Sequence, residues 1–396
     1  MAAFLQPRDE RELSAAIVEA GRANTSLLVE GGASKSSIGR PVSDGATILS
    51  TRALGGLVFY EPAELVFRAR AGTRIADIVD ALDQCNQMLP FEPMDYGQVL
   101  GNERNATIGG IAATNTSGPR RIASGACRDA LIGIRMVNGL GESIASGGRV
   151  MKNVTGLDLV KLVCGAWGTL GAISEVTFRV VPKPECSLSL ILHGLSDAEA
   201  VTALADALGS PFSVSGAAHI PNGLRSQSAT IVRLEGFASS VRYRAAALTG
   251  LWKAHGAADI VGQNESEKIW RSMRDATYLR AVENEAVWKL SVAPSKAPAL
   301  VAEIQRAAMV RHFYDWGGGL VWLAIEANDN AGKDAVRAAL RRAGGQATLV
   351  KAPRDVREHI AVHEPLPAAM HRLVAGIKAA FDPRGILNPG RMYASI

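Results

Sequence analysis

Two glycine-rich stretches of the chain carry the residue types that bind an anion. The first is VEGGASKSSIG, from Val29 to Gly39, and the second is TIGGIAATNTSGPRRIASGACRDALIG, which begins at Thr107. Glycine lets the backbone approach a ligand closely, and successive amide N–H groups can then point at phosphate oxygens. Together the two stretches could enclose one extended anionic ligand, and a dinucleotide fits that description.

The usual nucleotide fingerprints are absent. The sequence has neither G-x-G-x-x-G between a strand and a helix nor GxxxxGK[ST], which disfavours a Rossmann domain and a mononucleotide kinase. An ordinary turn is the alternative explanation for any single glycine. We assign this simpler role to Gly55, Gly56, Gly147 and Gly148.

Local patterns predict the elements that position the two stretches. RELSAAIVEAG has the spacing of an amphipathic helix, and SLLVEGG is typical of a short buried strand that ends on glycines. LVFYEPAELVF predicts two strands joined at Glu61 and Pro62, followed by the helix RIADIVDALDQC. IGIRMVNGLGESI predicts a hairpin with a primed turn at Asn138 and Gly139.

Composition changes after the proline pair Pro182 and Pro184, where we place a domain boundary. Five of the six tryptophans follow it, and helical stretches alternate there with strand-like runs such as GGLVWLAIEA. We therefore predict an α+β protein whose second domain packs helices against an antiparallel sheet. The predicted domains are 1–183 (subdomains about 1–55 and 56–183), 184–370, and a returning tail, 371–396.

Composition also excludes several classes of protein. The net charge is +5 without a Lys/Arg block, so we expect no nucleic-acid partner. No apolar run is long enough to span a membrane, and charged residues occupy the place of a signal peptide, so we expect a cytoplasmic protein without membrane insertion. The four cysteines form no CxxC pair, so no iron–sulfur cluster or metal site is predicted.

VEGGASKSSIG resembles the phosphate-binding loop of flavoproteins of the vanillyl-alcohol oxidase and p-cresol methylhydroxylase type, whose FAD domain is not Rossmann-like. PFEPMD, the second glycine-rich stretch, VTGLDLVKLVCGAWGTLGAISEVTFRVVPKP and the terminal FDPRGILNPGRMY occur in that family's order. The resemblance covers nearly all of the first half and the tail. It implies a two-part FAD-binding domain of this type followed by a cap domain.

The resemblance also implies roles for individual residues. The FAD pyrophosphate would be bound by Gly31, Gly32, Ala33, Ser34, Lys35 and Ser36. The remaining expected cofactor contacts are Pro93, Gly109, Gly110, Thr114, Ser117, Gly118, Gly125 near the flavin, Gly171 and Ile173 on the adenine side, and Asn388 near the isoalloxazine. Many family members attach the flavin to a histidine in these loops, whereas all seven histidines here lie at or beyond His193. We therefore expect non-covalent FAD.

Within the family, the second domain and the tail are similar to 2-hydroxy-acid dehydrogenases. Their catalytic chains carry a metal-binding motif, HxGDGNxH, that this sequence lacks. The nearest stretch, RHFYDWGGGLVW, offers Arg311 as a partner for a substrate carboxylate and His312 as a base, although both could equally be structural. The catalytic residues therefore stay unassigned at this point.

Length and the missing motif make the chain most similar to the smaller FAD-binding subunits of bacterial glycolate oxidases. This implies oxidation of glycolate to glyoxylate, a partner FAD subunit with the metal motif, an iron–sulfur subunit, and peripheral membrane association through the complex. Two alternatives remain open: a self-sufficient FAD-dependent dehydrogenase for a 2-hydroxy acid such as D-lactate, and a non-catalytic flavin-carrying or structural subunit. UDP-enolpyruvylglucosamine reductase shares this FAD domain, but the NPGRMY ending argues against it.

Overall fold

The computed structural model describes residues 3–148, 157–222, 227–327 and 330–396. The first three residues of the VTGLDL segment, 154–156, lie outside the described residues. The polypeptide forms a FAD-domain half with several small sheets and a cap domain built on one large sheet. The tail then returns to the first half.

The N-terminal subdomain is a small parallel sheet covered by a helix. Its elements are β1 (Phe4–Leu5), α1 (Glu10–Arg22), β2 (Leu27–Glu30) and β3 (Thr47–Ser50), with strand order β1-β3-β2. Helix α1 begins at Asp9, whose carboxylate accepts the Glu12 amide, and it buries Leu13 and Ile17, as its periodicity predicted. Strand β2 thus leads directly into the first glycine-rich stretch.

The second subdomain is an antiparallel five-stranded sheet with short helices on one side. The larger sheet has the order β4-β5-β9-β7-β8, and β10 pairs with β6. Its elements are β4 (Leu57–Glu61), β5 (Val66–Arg70), α2 (Ile75–Asp83), β6 (Gln87–Met88), α3 (Gly97–Leu100), α4 (Ile108–Thr114), α5 (Arg121–Ser124), α6 (Cys127–Ala130), β7 (Leu131–Val137), β8 (Ser143–Gly147), α7 (Leu159–Val163), β9 (Ala172–Arg179) and β10 (Val181–Pro182). The strand pair around Glu61 and Pro62 is confirmed.

The hairpin between β7 and β8 is confirmed, but the predicted two-residue turn is wrong. Residues 138–142 form a longer loop, in which Asn138 Oδ1 accepts the amides of Leu140 at 3.0 Å and Glu142 at 2.9 Å. The positive φ falls at Gly141, at 81°, rather than at the Asn-Gly pair. The Gly141 N–H donates to the Asn138 carbonyl and the Asn138 N–H to the Glu142 carbonyl, both at 3.0 Å, and the asparagine side chain adds its own bonds to these.

The cap domain is an eight-stranded antiparallel sheet made of two βαββαβ halves. The first half is β11 (Cys186–His193), α8 (Asp197–Gly209), β12 (Val214–Ile220), β13 (Ala229–Gly236), α9 (Ala238–Trp252) and β14 (Asp259–Val261), followed by α10 (Gln263–Arg274). The second half is β15 (Glu285–Ser291), α11 (Ala297–Ala307), β16 (Val310–Asp315), β17 (Leu320–Glu326), α12 (Lys333–Ala343) and β18 (Gln346–Lys351). The order β14-β11-β13-β12-β16-β17-β15-β18 joins the halves at β12 and β16.

One face of the cap sheet packs against the FAD-domain half. Phe313 and Trp322 from this face share a core with Ile38, Met94 and Val99 of the first half. The opposite face packs against the cap's own helices through a separate core. Because side chains alternate along a strand, each strand residue of the cap points its side chain toward one of these two faces.

The tail ties the two ends of the chain together. After α13 (Arg354–His359) and α14 (Ala368–Phe381), the chain turns at Asp382, as predicted, and Leu387 pairs with Leu27 beside β2. The buried Lys378 ammonium donates to the Asp382 carboxylate at 2.6 Å and to the Leu387 carbonyl at 2.7 Å. The tail therefore reaches the end of β2, next to the glycine-rich loop.

Candidate functional site

A cavity lies where the end of β2, the start of α4 and the tail meet. Both glycine-rich stretches contribute to its wall, together with a turn after α7. It is lined by residues 28–36 and by Thr51, Ala71, Thr107, Gly109, Gly110, Ala113, Thr114, Trp167, Gly168, Gly171, Ile173, Asn388 and Arg391. Segments far apart in sequence thus form one elongated binding site.

The loop after β2 presents a run of free backbone donors. Ala33 adopts a left-handed conformation with a φ of 57°, which turns successive peptide groups toward one side. Within the described ranges, no protein group accepts the N–H groups of residues 31–35. Buried amides normally have partners, so this run is suited to an anion such as a pyrophosphate.

Two residues of the tail hold this loop in place. The Arg391 guanidinium donates to the carbonyl oxygens of Lys35 at 3.2 Å and Ser36 at 2.9 Å, and burial lowers its pKa to about 10. The Asn388 amide accepts from the Val29 N–H at 2.8 Å and donates to the Trp167 carbonyl at 2.7 Å. Asn388 therefore clamps β2 to the turn that carries Trp167.

Close packing explains why glycine occupies several wall positions. A Cβ on Gly32 would lie 1.7 Å from the Asn105 carbonyl oxygen, and a Cβ on Gly31 would lie 2.2 Å from Thr107 Oγ1. A Cβ on Gly109 would lie 2.5 Å from that of Ala71. The two glycine-rich stretches touch each other directly, so the glycines are needed for the loops to meet as well as for a ligand to approach.

Lys35 supplies a positive charge to the cavity. Its Nζ lies 5.9 Å from the centre of the Tyr96 ring and has no hydrogen-bond acceptor among the described residues. Burial lowers the pKa of Lys35 to about 8, while the Asp95 carboxylate acts in the opposite direction. A bound phosphate would be the missing partner for this ammonium group.

Most of the residues expected to bind the cofactor line this cavity. They are Gly31, Gly32, Ala33, Ser34, Lys35, Ser36, Gly109, Gly110, Thr114, Gly171, Ile173 and Asn388. Four others lie outside it. The Gly118 carbonyl accepts a hydrogen bond from the Trp316 indole N–H of the cap, and Ser117 Oγ accepts one from the Cys127 amide. Gly125 packs on Asp129, and Pro93 lines a separate groove.

Ten wall residues were not among the predicted ones: Leu28, Val29, Glu30, Thr51, Ala71, Thr107, Ala113, Trp167, Gly168 and Arg391. For Trp167 and Gly168 the available signal was the glycine-rich segment GAWGTLG. In the structure both residues have positive φ, 55° and 70°. Arg391 follows the NPG turn, but nothing in the sequence indicated that it would reach back to the carbonyls of the first loop.

An aromatic wall connects the cavity to the cap. Tyr96, which lies below Lys35, has its ring centre 6.4 Å from that of Trp322 on β17. The Trp322 ring in turn lies 5.6 Å from the Nζ of Lys289 on β15. The face of the cap sheet that looks toward the cavity therefore carries a lysine among tryptophans.

Beside this wall, a buried ionic cluster joins the two domains. Glu92 of the FAD-domain half binds Arg233 of β13 through two bonds of 2.8 and 2.9 Å, and Arg120 binds Glu235 at 2.7 Å. Burial alone would raise the pKa of Glu92, but the Arg233 and Arg120 guanidinium groups outweigh it and lower the pKa to about 2. Each charge in the cluster has a partner.

The two candidates named for catalysis lie elsewhere. Arg311 is exposed and pairs with Glu285. His312 projects from the opposite face of the sheet, where its Nε2 lies 2.9 Å from Asp197 Oδ2 on α8. Neither side chain faces the cavity, because Arg311 lies at the solvent-exposed end of β16 and strand alternation directs His312 away.

Comparison with known proteins shows which family has this domain arrangement. A model of the FAD binding domain matches residues 1–147, and one of the C-terminal domain of FAD linked oxidases matches residues 362–392. Glycolate oxidase subunit GlcE of Escherichia coli is 36% identical over 372 residues, 94% of each chain. The chain belongs to the GlcE family of FAD-linked oxidases. It is a FAD-dependent oxidoreductase, as expected, and FAD is its cofactor.

Other relatives match part of the chain or its fold. D-lactate dehydrogenase of Anaerostipes hadrus is 30% identical over 45% of this chain and 36% of its own length. The substrate-bound structure of p-cresol methylhydroxylase superposes with a TM-score of 0.76 at 14% identity, covering 99% of this chain and 88% of that one. The expected α+β architecture with a non-Rossmann FAD domain is therefore confirmed.

No helix in the ranges that the structure describes is both long and apolar enough to cross a membrane. Within the same ranges, no group of three or more histidine, cysteine, aspartate or glutamate side chains is arranged to hold a metal ion.

Proposed function

We propose that this chain is the FAD-carrying subunit of a glycolate oxidase complex that converts glycolate to glyoxylate. The observation that carries the proposal is 36% identity to a glycolate oxidase subunit along almost the whole of both chains. The Bacillus subtilis glycolate oxidase subunit GlcD, 27% identical over half of this chain, supports a second, related FAD subunit as a partner. The third partner in this proposal is an iron–sulfur subunit.

In this proposal the cavity residues bind FAD non-covalently. Residues 31–35 donate backbone N–H groups to the pyrophosphate, and the Lys35 ammonium neutralises its charge. The Arg391 side chain keeps the loop in the conformation that presents these donors. The bound flavin would supply the acceptor for two electrons from the α-carbon of the acid, and electrons would then pass to the partner subunits.

The substrate class is a small 2-hydroxy acid. The self-sufficient alternative, a D-lactate-type dehydrogenase, is favoured by the similarity to a D-lactate dehydrogenase over 179 residues. The alternative of a non-catalytic flavin carrier is favoured by the absence of the HxGDGNxH motif from the sequence. In this proposal the chain is cytoplasmic and reaches the inner face of the membrane through the complex.

An anaerobic visible spectrum of the purified chain tests these options. We expect a bound-flavin spectrum that bleaches when glycolate is added and does not change with acetate, which lacks the hydroxyl group. Bleaching by D-lactate but not by glycolate would favour the self-sufficient dehydrogenase. Flavin that stays oxidised with every acid, alone and after co-expression with both partners, would contradict a catalytic role for this chain. A colourless chain that takes up no added FAD would refute the cofactor assignment in this cavity.

A further inference from the structure

The outer side of helix α14 (Ala368–Phe381) is apolar and faces solvent. The helix has the mainly apolar sequence AAMHRLVAGIKAAF, yet the only residue that it buries is Lys378. Met370 is 47% exposed and Leu373 is 57% exposed. A surface helix of a folded protein normally buries its apolar stripe and turns its charged residues outward. Helix α14 has the opposite arrangement.

Other helices of the chain follow the usual rule. Helix α1 buries Leu13 and Ile17 and exposes Glu12 and Glu19, and α10 buries Trp270 below a charged outer face. A single exposed leucine is common on protein surfaces. In α14, however, no apolar residue is buried, and a contiguous exposed apolar face of this kind marks a site of interaction with another molecule.

Contacts on the inner side of α14 fix which side faces outward. The Lys378 ammonium donates to the Thr169 carbonyl at 2.8 Å, and the His371 Nε2 lies 2.8 Å from Ser395 Oγ. With 3.6 residues per turn, His371 and Lys378 share one side of the helix, and Leu373 lies on the opposite side. The helix is therefore attached through its polar residues, which leaves the apolar side directed to solvent.

Gly376 lies on the same outer side, three residues after Leu373. A Cβ at this position would meet no atom within 4 Å, and the φ of Gly376 is not positive. Glycine weakens a helix relative to alanine because it loses more backbone entropy on folding. Neither the packing of the described residues nor the backbone conformation accounts for this glycine, whereas close approach of another chain to the helix backbone does.

The charges of α14 distinguish between candidate occupants. The helix contains no acidic residue, and the exposed Arg372 at the edge of its outer side has no carboxylate within 4.0 Å among the residues that the structure describes. In a two-fold contact between copies the same surface meets itself, so Arg372 would face only the cations of a second α14. A different chain that carries carboxylates beside an apolar face would supply the missing counter-charge.

The helix lies directly behind the wall of the cofactor cavity. Lys378 donates to the carbonyls of Thr169 and of Leu387, the latter at 2.7 Å. Thr169 follows Gly168 and Leu387 precedes Asn388, and both Gly168 and Asn388 line the cavity. A chain docked on the outer side of α14 would be separated from that wall by about 10 Å, the diameter of one helix.

We propose that the outer side of α14, centred on Leu373 and Gly376 and edged by Arg372, is the docking surface for a helix of a different protein chain. The docking helix has an apolar face with carboxylates beside it. In the function proposed above, this chain is a subunit of the same complex. That identification rests on the proposed function, whereas the docking surface itself does not.

The test measures binding of the FAD-loaded chain to the related FAD subunit and the iron–sulfur subunit, purified together and immobilised. We expect Leu373→Glu to weaken binding at least about 30-fold, as for loss of a central apolar anchor. Arg372→Gln should slow association and reduce its salt dependence, because a charge at the edge of an interface acts mainly on the association rate. The matched control, Leu251→Glu, makes the same change at an exposed leucine of α9 and should bind like the natural chain.

Both substituted side chains of α14 are exposed, so both variants should fold, and equal FAD content checks this. Unchanged binding by Leu373→Glu would overturn the proposal. A dimer of the natural chain that Leu373→Glu dissociates in light scattering would also overturn it, because the occupant would then be a second copy. Adsorption of the natural chain, but not of Leu373→Glu, to vesicles of anionic phospholipid would overturn it in favour of a lipid surface.

Failure of the docking surface and failure of the oxidase function give different results. Partner binding that Leu373→Glu abolishes, in a complex whose flavin no acid reduces, would retain the docking surface and reject the oxidase function. Flavin reduction by glycolate in a complex that Leu373→Glu leaves intact would retain the function and reject the surface.

Discussion

Replacing Gly32 with alanine tests whether close packing of the first glycine-rich stretch on the segment just before the second shapes the FAD cavity. The added Cβ would lie 1.7 Å from the Asn105 carbonyl oxygen, whereas ordinary contacts begin at 3.4 Å. One loop must therefore move by more than an ångström. Such overpacking costs about 1–3 kcal/mol. If FAD binding must restore the original loop positions, FAD affinity falls about 5- to 150-fold, at 1.4 kcal/mol per tenfold change.

The assay is a titration of the FAD-free chain with FAD, followed by quenching of flavin fluorescence. Gly55→Ala is the matched control, because a Cβ there meets no atom within 4 Å and Gly55 does not have a positive φ. Urea unfolding of both variants shows whether the Gly32→Ala chain is folded. A folded Gly32→Ala chain that binds FAD as tightly as Gly55→Ala would refute the argument that loop contact sets the cavity.

Four further variants probe the charges of the cavity and of the ionic cluster at the domain boundary. Lys35→Met should weaken FAD binding about 10- to 150-fold in the same titration, since a charge-assisted phosphate contact is lost. Because burial lowers the Lys35 pKa to about 8, the FAD affinity of the natural chain should fall as pH rises through 8. The same pH profile in the Lys35→Met chain would contradict this expectation. Arg391→Met should leave the Lys35 and Ser36 carbonyls without a donor, at about 1–3 kcal/mol each, and should lower the FAD content. Arg391→Lys should not restore the FAD content, because a single ammonium group cannot reproduce the planar guanidinium donors. Recovery of the FAD content in Arg391→Lys would argue against that geometry. Glu92→Gln should lower the free energy of unfolding in urea by about 3–5 kcal/mol, because buried guanidinium groups lose their partner. The Glu92 pKa lies near 2, below its ordinary 4.5, so this stabilisation is present above pH 4.5 and lost as pH falls toward 2; equal stability of both chains at pH 7 would contradict it.

The cofactor half could be predicted because its chemistry is local in the sequence. The loop after β2 is rich in small residues, so residue types alone indicated an anion-binding loop there. The family resemblance implied residues 31–36, and these line the cavity. The residues that lie outside the cavity show the limit of that argument. Gly118 has the same glycine signature, yet a Cβ there would lie 2.3 Å from the Glu92 carbonyl oxygen, so close packing accounts for this glycine. A glycine in a sequence indicates that some group comes close to the backbone, but it does not show whether that group is a ligand or another part of the protein.

For the cap, only the fold class could be predicted from the sequence. Its α+β composition indicated helices packed on an antiparallel sheet. The sequence shows no internal repeat, although two βαββαβ halves are present. The repeat is one of topology, and topology is set by strand pairing over long distances. Strand pairing also places Trp322 of β17 between Lys289 of β15 and Phe313 of β16, so the order of the three strands in the sheet differs from their order in the sequence. His312 was a candidate because it lies in RHFYDWGGGLVW, the stretch nearest to the HxGDGNxH motif. Its neighbour Phe313 faces the FAD-domain half, so strand alternation turns His312 to the opposite side of the sheet.

The buried ionic cluster at the domain boundary fixes the position of the cap relative to the FAD-domain half. Glu92, Arg233, Arg120 and Glu235 form a fully paired cluster across the domain boundary, and breaking a buried pair is strongly destabilising. The cluster therefore resists sliding of the cap sheet over the FAD-domain half.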